Sequence, residues 1–445
     1  MQHSHEALDR PGGFAKANLL APLRHRDFRV LWLGMAVSLI GDGIFFVAVA
    51  WESYSLWNAP VALSIVGIGM TVPTVAFLLV GGVVSDRFDR RLVMVWADSL
   101  RAAAVAVLAI LVLTDALHFW QLVGLVAVYG IGTAFFTPAF EAIVPELVPG
   151  ADLPAANSLD QLIRPIALRL LGPVLGGVLI ALGTGIAFAV DAVSFAASLI
   201  AVLALRRVPR ARAELEVSSV SALKEGLQFV RRRVWLWGTL LSAAITYLVF
   251  LGPAEVLLPF VVKNDLHGSA GTLGLVLAAG GLGAVGGAAL MGHKGHPRRD
   301  VTVMYLTWTV ATLAIAGYGI ATAAWQLMVA CLVFNALEAA GTIVWATIKQ
   351  RHVPASMLGR VSSLDWLISI GLLPISFALT APVAAAIGAR TTLVAAAVVG
   401  AVVTLSGLFL PGMRDIEGRS EGDPEAGSGP AFAELASSSS FVRSL

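Results

Sequence analysis

The sequence predicts an all-α membrane protein whose twelve spanning helices form two pseudo-symmetric six-helix bundles. Three observations carry that expectation. Of 445 residues, 58% are hydrophobic and 13% charged, with a mean hydropathy of +0.83, which does not fit the two or three soluble domains that length alone suggests. The apolar residues recur in long continuous runs from about residue 29 to 412, roughly 240 residues in segments able to cross a hydrocarbon core about 30 Å thick. Lipid offers no partner to an open backbone group, so such runs form α-helices rather than barrel strands, which would alternate apolar and polar residues. The third observation is an internal repeat: Val148, Pro149, Leu153, Ser158, Leu159 and Asp160 reappear 205 residues further on as Val353, Pro354, Leu358, Ser363, Leu364 and Asp365. Both copies lie between the fourth and fifth spans of their half. An even number of spans keeps both halves in one orientation, a parallel duplication about an axis along the membrane normal.

Residues 1–28 are polar, carry Arg10, Lys16, Arg24 and Arg26, and lack a short apolar run ending in a small-residue cleavage site. We expect a cytoplasmic N-terminal segment with no removable signal peptide. Hydropathy and breaker residues then place spans at 29–52, 61–84, 92–114, 119–144, 158–181 and 184–205, the N-terminal bundle of 29–205. The C-terminal bundle, 234–412, follows as 234–258, 270–292, 301–321, 324–348, 362–386 and 391–412. The polar stretch 206–233 divides the halves as a cytoplasmic linker. Within it Leu223, Leu227 and Val230 share one helical face, which suggests an interfacial helix. After Pro411 the Gly, Ser and acidic residues cannot bury a core, so 413–445 is expected to be a disordered cytoplasmic tail.

The net charge of +2, from 30 Lys and Arg against 28 Asp and Glu, gives no support to a nucleic-acid partner. Placing both termini in the cytoplasm puts about 25 of the 30 basic residues on that side and only Lys263 and Arg390 outside, with Arg101, Arg164 and Arg169 inside spans. The positive-inside rule therefore orients the chain strongly. Trp57, Trp120 and Trp325 then fall at outer helix ends and Trp235 and Trp237 at an inner one, where such rings sit at headgroup level or pack into the core. One cysteine, Cys331, allows no intramolecular disulfide. The eight histidines show no metal-ligand spacing within the spans, there is no Gly-x-x-x-x-Gly-Lys loop, and no Ser, His and Asp set lies in a soluble domain. Neither an enzyme, a metal site, a cofactor nor direct use of ATP is expected.

Between the second and third spans the chain reads Gly82-Val83-Val84-Ser85-Asp86-Arg87-Phe88-Asp89-Arg90-Arg91. Gly82 permits close helix packing, and Asp86 at a helix end can meet the positive N-terminus of another helix. Arg87, Arg90 and Arg91 can pair with carboxylates at the cytoplasmic mouth, with Glu141 the expected partner of Arg90, or can simply follow positive-inside topology. The fifth span contains Gly172-Pro173-Val174-Leu175-Gly176-Gly177, which loosens the helix and admits a close neighbour, either as hinge and seal or as ordinary packing.

The first of these stretches resembles the loop signature of the major facilitator superfamily, with Asp89 where glycine is usual. The second resembles the Gly-Pro-x-x-Gly-Gly motif of its antiporters, with Leu168 in place of an earlier glycine. Three further stretches are similar to the macrolide-efflux and enterobactin-exporter branch, grouped with twelve-span drug:proton antiporters. They are Pro22-Leu23-Arg24-His25-Arg26-Asp27-Phe28 followed by Gly41-Asp42-Gly43, then Ala97-Asp98-Ser99-Leu100-Arg101-Ala102, and Val353-Pro354 leading to Gly359-Arg360-Val361. The resemblance covers about residues 20 to 412. It implies the major facilitator fold, alternating access by rocking of the bundles, and proton-driven multidrug efflux with antibiotic resistance at a bacterial cytoplasmic membrane. The fourth-span arginine of other drug antiporters is absent, since Tyr129-Gly130-Ile131-Gly132 runs through uncharged.

An ionisable group at membrane depth costs roughly 2.5 to 3.5 kcal/mol on insertion scales, so each needs a partner or a water-filled cavity. Asp42 lies near the middle of the first span, where a carboxyl can carry a proton or hold a fixed helix–helix hydrogen bond. Glu338 lies near the middle of the tenth span, level with Thr133 of the fourth by the 205-residue offset. The resemblance, in which the first, fourth, seventh and tenth helices line the central path, aims it at the cavity as a substrate or proton site. Glu255, nearer the outer end of the seventh span, is a further candidate for substrate or proton translocation, or it simply reaches water. Arg169 in the fifth cannot discharge by losing its proton and must find an anion, either Asp191 on the sixth span or Asp42. Asp98, Arg101, Asp160, Arg164 and Asp365, near the cytoplasmic face, are expected to form an inner gate network. The expected function is proton-coupled export of small amphipathic organic substrates, by a monomer in contact with membrane lipids. Export of one metabolite such as a siderophore, or translocation of a lysolipid, are the alternatives.

Overall fold

The computed structural model describes residues 20–206, 219–294, 297 and 299–417. Among them every regular element is helical, and twelve helices are long and apolar enough to cross a membrane. These are Arg26–Leu56, Pro60–Leu78, Arg90–Leu113, Phe119–Leu147, Ala155–Leu182, Thr184–Leu203, Val234–Asp265, Ala270–Met291, Asp300–Ile320, Ala324–His352, Arg360–Ile387 and Ala389–Gly407. Each overlaps one expected span, and the ends differ by a few residues where a cap decides them.

The repeat distance reappears in those caps. The first turns of the fourth and tenth spans carry Gln121 and Gln326, whose side-chain oxygens accept from the backbone N–H of His118 at 2.8 Å and of Ala323 at 3.2 Å. Both satisfy donors near a first turn, which has no intrahelical partners to offer. Both spans end at an extended valine before a proline, Val148 and Val353, as the residue preceding proline prefers. The hairpins into the sixth and twelfth spans turn at Gly183 (φ 136°) and Gly388 (φ 85°), again 205 residues apart, where a Cβ would be strained.

The chain separates into two compact units. Unit 1 comprises Met1–Asn58, Gly69–Ala211 and Ser269–Ala278; unit 2 comprises Ala59–Ile68, Arg212–Gly268 and Ala279–Leu445. This departs from a clean division into 29–205 and 234–412, because the start of the second span groups with unit 2 and the start of the eighth with unit 1. In unit 1 the first and third spans pack on the sixth, and the third on the fourth, around Leu31, Met94, Phe140 and Val202. Unit 2 uses the same pairings one repeat later: the seventh and ninth spans pack on the twelfth, and the ninth on the tenth, around Leu236, Tyr305, Trp345 and Met413.

Three expectations change in the folded chain. Trp57, Trp120 and Trp325 are exposed at their helix ends, but Trp235 is buried edge-on to Trp345 and belongs to the core. The linker helix forms over Ser219–Arg231, yet its buried positions are Gly226 and Val230 while Leu227 is exposed. Gly226 lies against Arg360, which also pairs with Glu225, so an ion pair and a close approach set the face. The side chain of Leu223 is outside the described residues, as are residues 1–19, 207–218 and 418–445. The chain also keeps its order past 413. Met413 and Ile416 are buried, and Glu417 Oε1 accepts from the backbone N–H of Thr302 at 2.5 Å, satisfying a first-turn donor of the ninth span.

Candidate functional site

Ionisable side chains from four spans meet inside unit 1. The first contributes Asp42, the third Asp98 and Arg101, the fourth Tyr129, and the sixth Asp191 with Ser194 and Ser198. Asp98 and Asp191 are fully buried, and Arg101 and Asp42 are only 4% and 7% exposed. Tyr129 donates its hydroxyl hydrogen to Asp42 at 2.6 Å. Arg101 pairs with Asp98, one turn earlier, and holds Nη1 4.0 Å from Asp42 Oδ2. Ser198 donates to the second Asp98 oxygen at 2.7 Å, and Ser194 to Asp191 Oδ1 at 3.1 Å. Among the described residues, Asp191 Oδ2 and Arg101 Nε have no hydrogen-bond partner. Aromatic rings close the cluster: the Arg101 guanidinium lies 4.4 Å from the centroid of Phe136 and 4.7 Å from that of Phe195, and Phe45 stacks on Tyr129 at 4.3 Å. Such faces attract a cation that has lost its water.

Missing side chains make the room. A Cβ at Gly132 would meet Arg101 Cγ at 2.5 Å, and one at Gly41 would overlap Ser194 Oγ and Asp191 Oδ1. Arg101 of the third span thus lies in the groove that Gly132 leaves on the fourth. Counting along each helix put Asp98 and Arg101 in an inner gate network; the arginine pairs with Asp98 and its long stem also reaches toward Asp42. The expected Arg169–Asp191 pair is not the environment of Asp191, whose charged neighbours are Asp42 and Arg101. Arg169 is instead exposed on a π-helical turn, Ile166–Leu171.

The loop after the second span is a set of helix caps. Asp89 starts the third span by accepting from the Arg91 backbone N–H at 2.9 Å, which accounts for a carboxylate where the superfamily signature has glycine. Arg91 donates Nε to the carbonyl of Val202 at 2.8 Å and Nη2 to that of Leu203, covering acceptors that the end of the sixth span leaves open. Arg90 bonds Glu146 Oε1 at 2.5 Å and the Ala142 carbonyl at 2.7 Å. Its partner is therefore Glu146 rather than Glu141, which is exposed with Arg164 and Asp160 as its charged neighbours. Arg87 is exposed, and Asp86 lies in the last turn of the helix Pro60–Arg87, its side chain outside the described ones. Close packing belongs to Gly81, where a Cβ would overlap the Ala134 carbonyl; among the described residues nothing lies within 4 Å of one at Gly82.

In the fifth span the π-turn is followed at once by Gly172 and Pro173, which open the helical segment Gly172–Leu182. Gly172 abuts Gly43 of the first span, Gly176 faces Ile44 and Val47, and Gly177 meets Gly271 and Gly274 at the start of the eighth. Early in the fifth and eleventh spans, the repeat-related carboxylates each keep a basic partner: Asp160 with Arg164 at 2.8 Å, and Asp365 with Lys349 at 2.5 Å.

Unit 2 holds a mainly apolar pocket in which Glu338 stands with Tyr247, Phe250, Trp308 and the hydroxyls of Thr246 and Thr404. Thr342 donates to Glu338 Oε1 at 3.1 Å. Glu255, on the seventh span, is exposed and is not among the residues lining this pocket.

The family model described as transmembrane secretion effector matches residues 17–422. The chain belongs to this family of the major facilitator superfamily. Macrolide efflux protein A of Streptococcus pyogenes is 25% identical over 366 residues, 81% of this chain and 90% of that protein. The enterobactin exporter EntS of Citrobacter koseri is 29% identical over 360 residues, 78% of this chain and 82% of that one. Among solved structures, a bacterial homologue of the lysosomal transporter Spinster, inward-facing and unoccupied, superposes with a TM-score of 0.64 at 16% identity, covering 90% of this chain and 99% of its own. The nucleoside transporter NupG does so with 0.63 at 10% identity, covering 85% and 98%. At these identities the two structures show the fold alone.

This secretion effector is a multi-pass membrane transporter and not an enzyme. Its unit 1 cluster can exchange one charge for another. Ionised, Asp42 accepts from Tyr129 and faces Arg101; protonated, it leaves Arg101 to Asp98 alone. Neither Arg101 nor Tyr129 stood among the transport candidates read from the sequence. The signal for Arg101 was the i, i+3 spacing from Asp98, which puts both on one helical face; nothing in the sequence set Tyr129 apart.

Proposed function

We propose that this secretion effector is a proton-coupled exporter of amphipathic organic compounds, set in a bacterial cytoplasmic membrane with both termini inside and working by alternating access. The observation that carries the coupling is Asp42, buried, bonded by Tyr129 at 2.6 Å and standing 4.0 Å from Arg101. A carboxyl there can trade its attraction to the guanidinium for a proton, whereas the arginine cannot discharge. One proton entering supplies about 2.3 kcal/mol from a potential of roughly 100 mV and about 1.4 from one pH unit, enough to hold a neutral substrate at a gradient of several hundredfold. One titrating carboxyl is therefore sufficient.

The substrate group faces Glu338. A carboxylate beside the rings of Tyr247, Phe250 and Trp308 suits an organic cation with an apolar body. The names of the macrolide efflux and enterobactin relatives support export of small organic molecules. A second reading, export of one anionic metabolite, is favoured by Arg169 on its exposed π-turn. The Arg90–Glu146 pair and the Arg91 cap hold the inner ends of their helices as a gate, and Gly172 to Gly177 act as a seal. Susceptibility profiles of deletion and overexpressing strains, run beside transport of a radiolabelled macrolide and a fluorescent organic cation in everted vesicles, test the reading. Export of either probe that collapses with a protonophore supports it; export indifferent to the proton gradient contradicts it.

A further inference from the structure

We propose that Asp191 is a second proton-binding residue of the transporter, paired with Asp42 so that the two carboxyls together keep at least one proton throughout the cycle. This rests on the coupling assigned to Asp42, and it adds where a proton stays when Asp42 has given its own away.

Three carboxyls, Asp42, Asp98 and Asp191, surround one guanidinium, Arg101. The arginine is committed to Asp98 by a direct ion pair, and Ser198 donates to the other oxygen of that residue at 2.7 Å. Asp98 is thus the carboxylate that Arg101 neutralises. Asp42 keeps a hydroxyl donor in Tyr129 and a guanidinium nitrogen at 4.0 Å. Asp191 has neither: it is fully buried, and among the described residues Oδ1 accepts only from Ser194 and Oδ2 has no partner. A fully buried carboxylate with one oxygen unbonded by any described residue is the least supported anion of the three. Carrying a proton, the same group is neutral, which removes the cost of a buried charge.

Gly41 brings the pair together. Asp191 Oδ1 and Ser194 Oγ fill the space that a Cβ at Gly41 would occupy, so Asp191 lies against the backbone one residue before Asp42. Its charged neighbours are Asp42 and Arg101. The groups facing the pair from each packed element are Asp98 and Arg101 on the third span, Tyr129 on the fourth, Arg164 on the fifth, and Ser194 on the sixth. Arg164 is already held by Asp160 at 2.8 Å, so no second cation is committed to Asp191. Asp42, slightly exposed, exchanges protons with the transport path; Asp191, sealed behind Gly41, stays protonated and prevents a double anion. Such a pair titrates as a unit.

The test is infrared spectroscopy of the purified full-length protein in lipid nanodiscs at neutral pH, reading the carbonyl band of protonated carboxylic acids with buffer protons as the only ligand. The wild type should show the band, Asp191→Asn should lose it, and Asp42→Asn should keep it. Asp191→Glu should move it to the position of a glutamic acid, which secures the assignment if the asparagine variant folds poorly. A band unchanged in folded Asp191→Asn, or absent from the wild type, overturns the inference. Failure of the coupling role of Asp42 shows differently, as gradient-driven transport by Asp42→Asn with the band at Asp191 still present.

Discussion

A single carboxylate, Asp89, starts the third span, and Arg91 two residues later ends the sixth. If that is why an acid stands in the loop, Asp89→Ala should lower stability by about 1 kcal/mol, and Asp89→Gly by only a few tenths. Thermal unfolding in detergent reads the difference, and equal losses for alanine and glycine would remove the capping role. Arg91→Lys should behave more like Arg91→Ala than like wild type, because a point charge cannot bond two carbonyls as a planar fork does. At this scale the sequence revealed residue types better than partners. Arg90 was legible as a pairing cation, but whether Glu141 or Glu146 faced it depends on the rotation of the fourth span, which packing sets. Asp42 was legible because an acid amid apolar residues is costly wherever it lies. The place of Arg101 was not, since a flexible stem reaches depths that residue counting does not register.

Helix rotation also decides which glycine matters. A Cβ at Gly81 would run into the Ala134 carbonyl, while one at Gly82 meets none of the described residues within 4 Å. Gly81→Ala should therefore destabilise by about 1–3 kcal/mol through overpacking. Gly82→Ala should be neutral or stabilise by up to about 1 kcal/mol, through helix propensity. The reverse order in unfolding temperatures would mean that the second span is rotated by one residue from the arrangement described. The superfamily signature singles out Gly82, and one position along a helix turns the face by about 100 degrees. The spans themselves were legible, because a run of some 20 apolar residues has few other solutions in a long chain. The π-turn Ile166–Leu171 was not, for Pro and Gly announce a weak point in a helix without saying how the backbone bonds rearrange.

At the scale of the whole molecule, the repeat seen in a few residues extends to the capping glutamines, the hairpin glycines and the pairings of helices within each unit. The two units nevertheless carry different chemistry: buried carboxyls around one arginine in unit 1, an aromatic pocket with Glu338 in unit 2. On the proposed reading, the proton belongs to one half and the substrate to the other. The measurement that bears on it most directly is transport by the purified chain in proteoliposomes under an imposed pH gradient, with a fluorescent organic cation as probe. Wild type should accumulate the probe and lose it with a protonophore. Asp42→Asn should exchange the probe across the membrane but build no gradient, and Glu338→Gln should need more probe for half-maximal transport. Full gradient-driven accumulation by the Asp42→Asn, Glu338→Gln double variant would contradict both assignments.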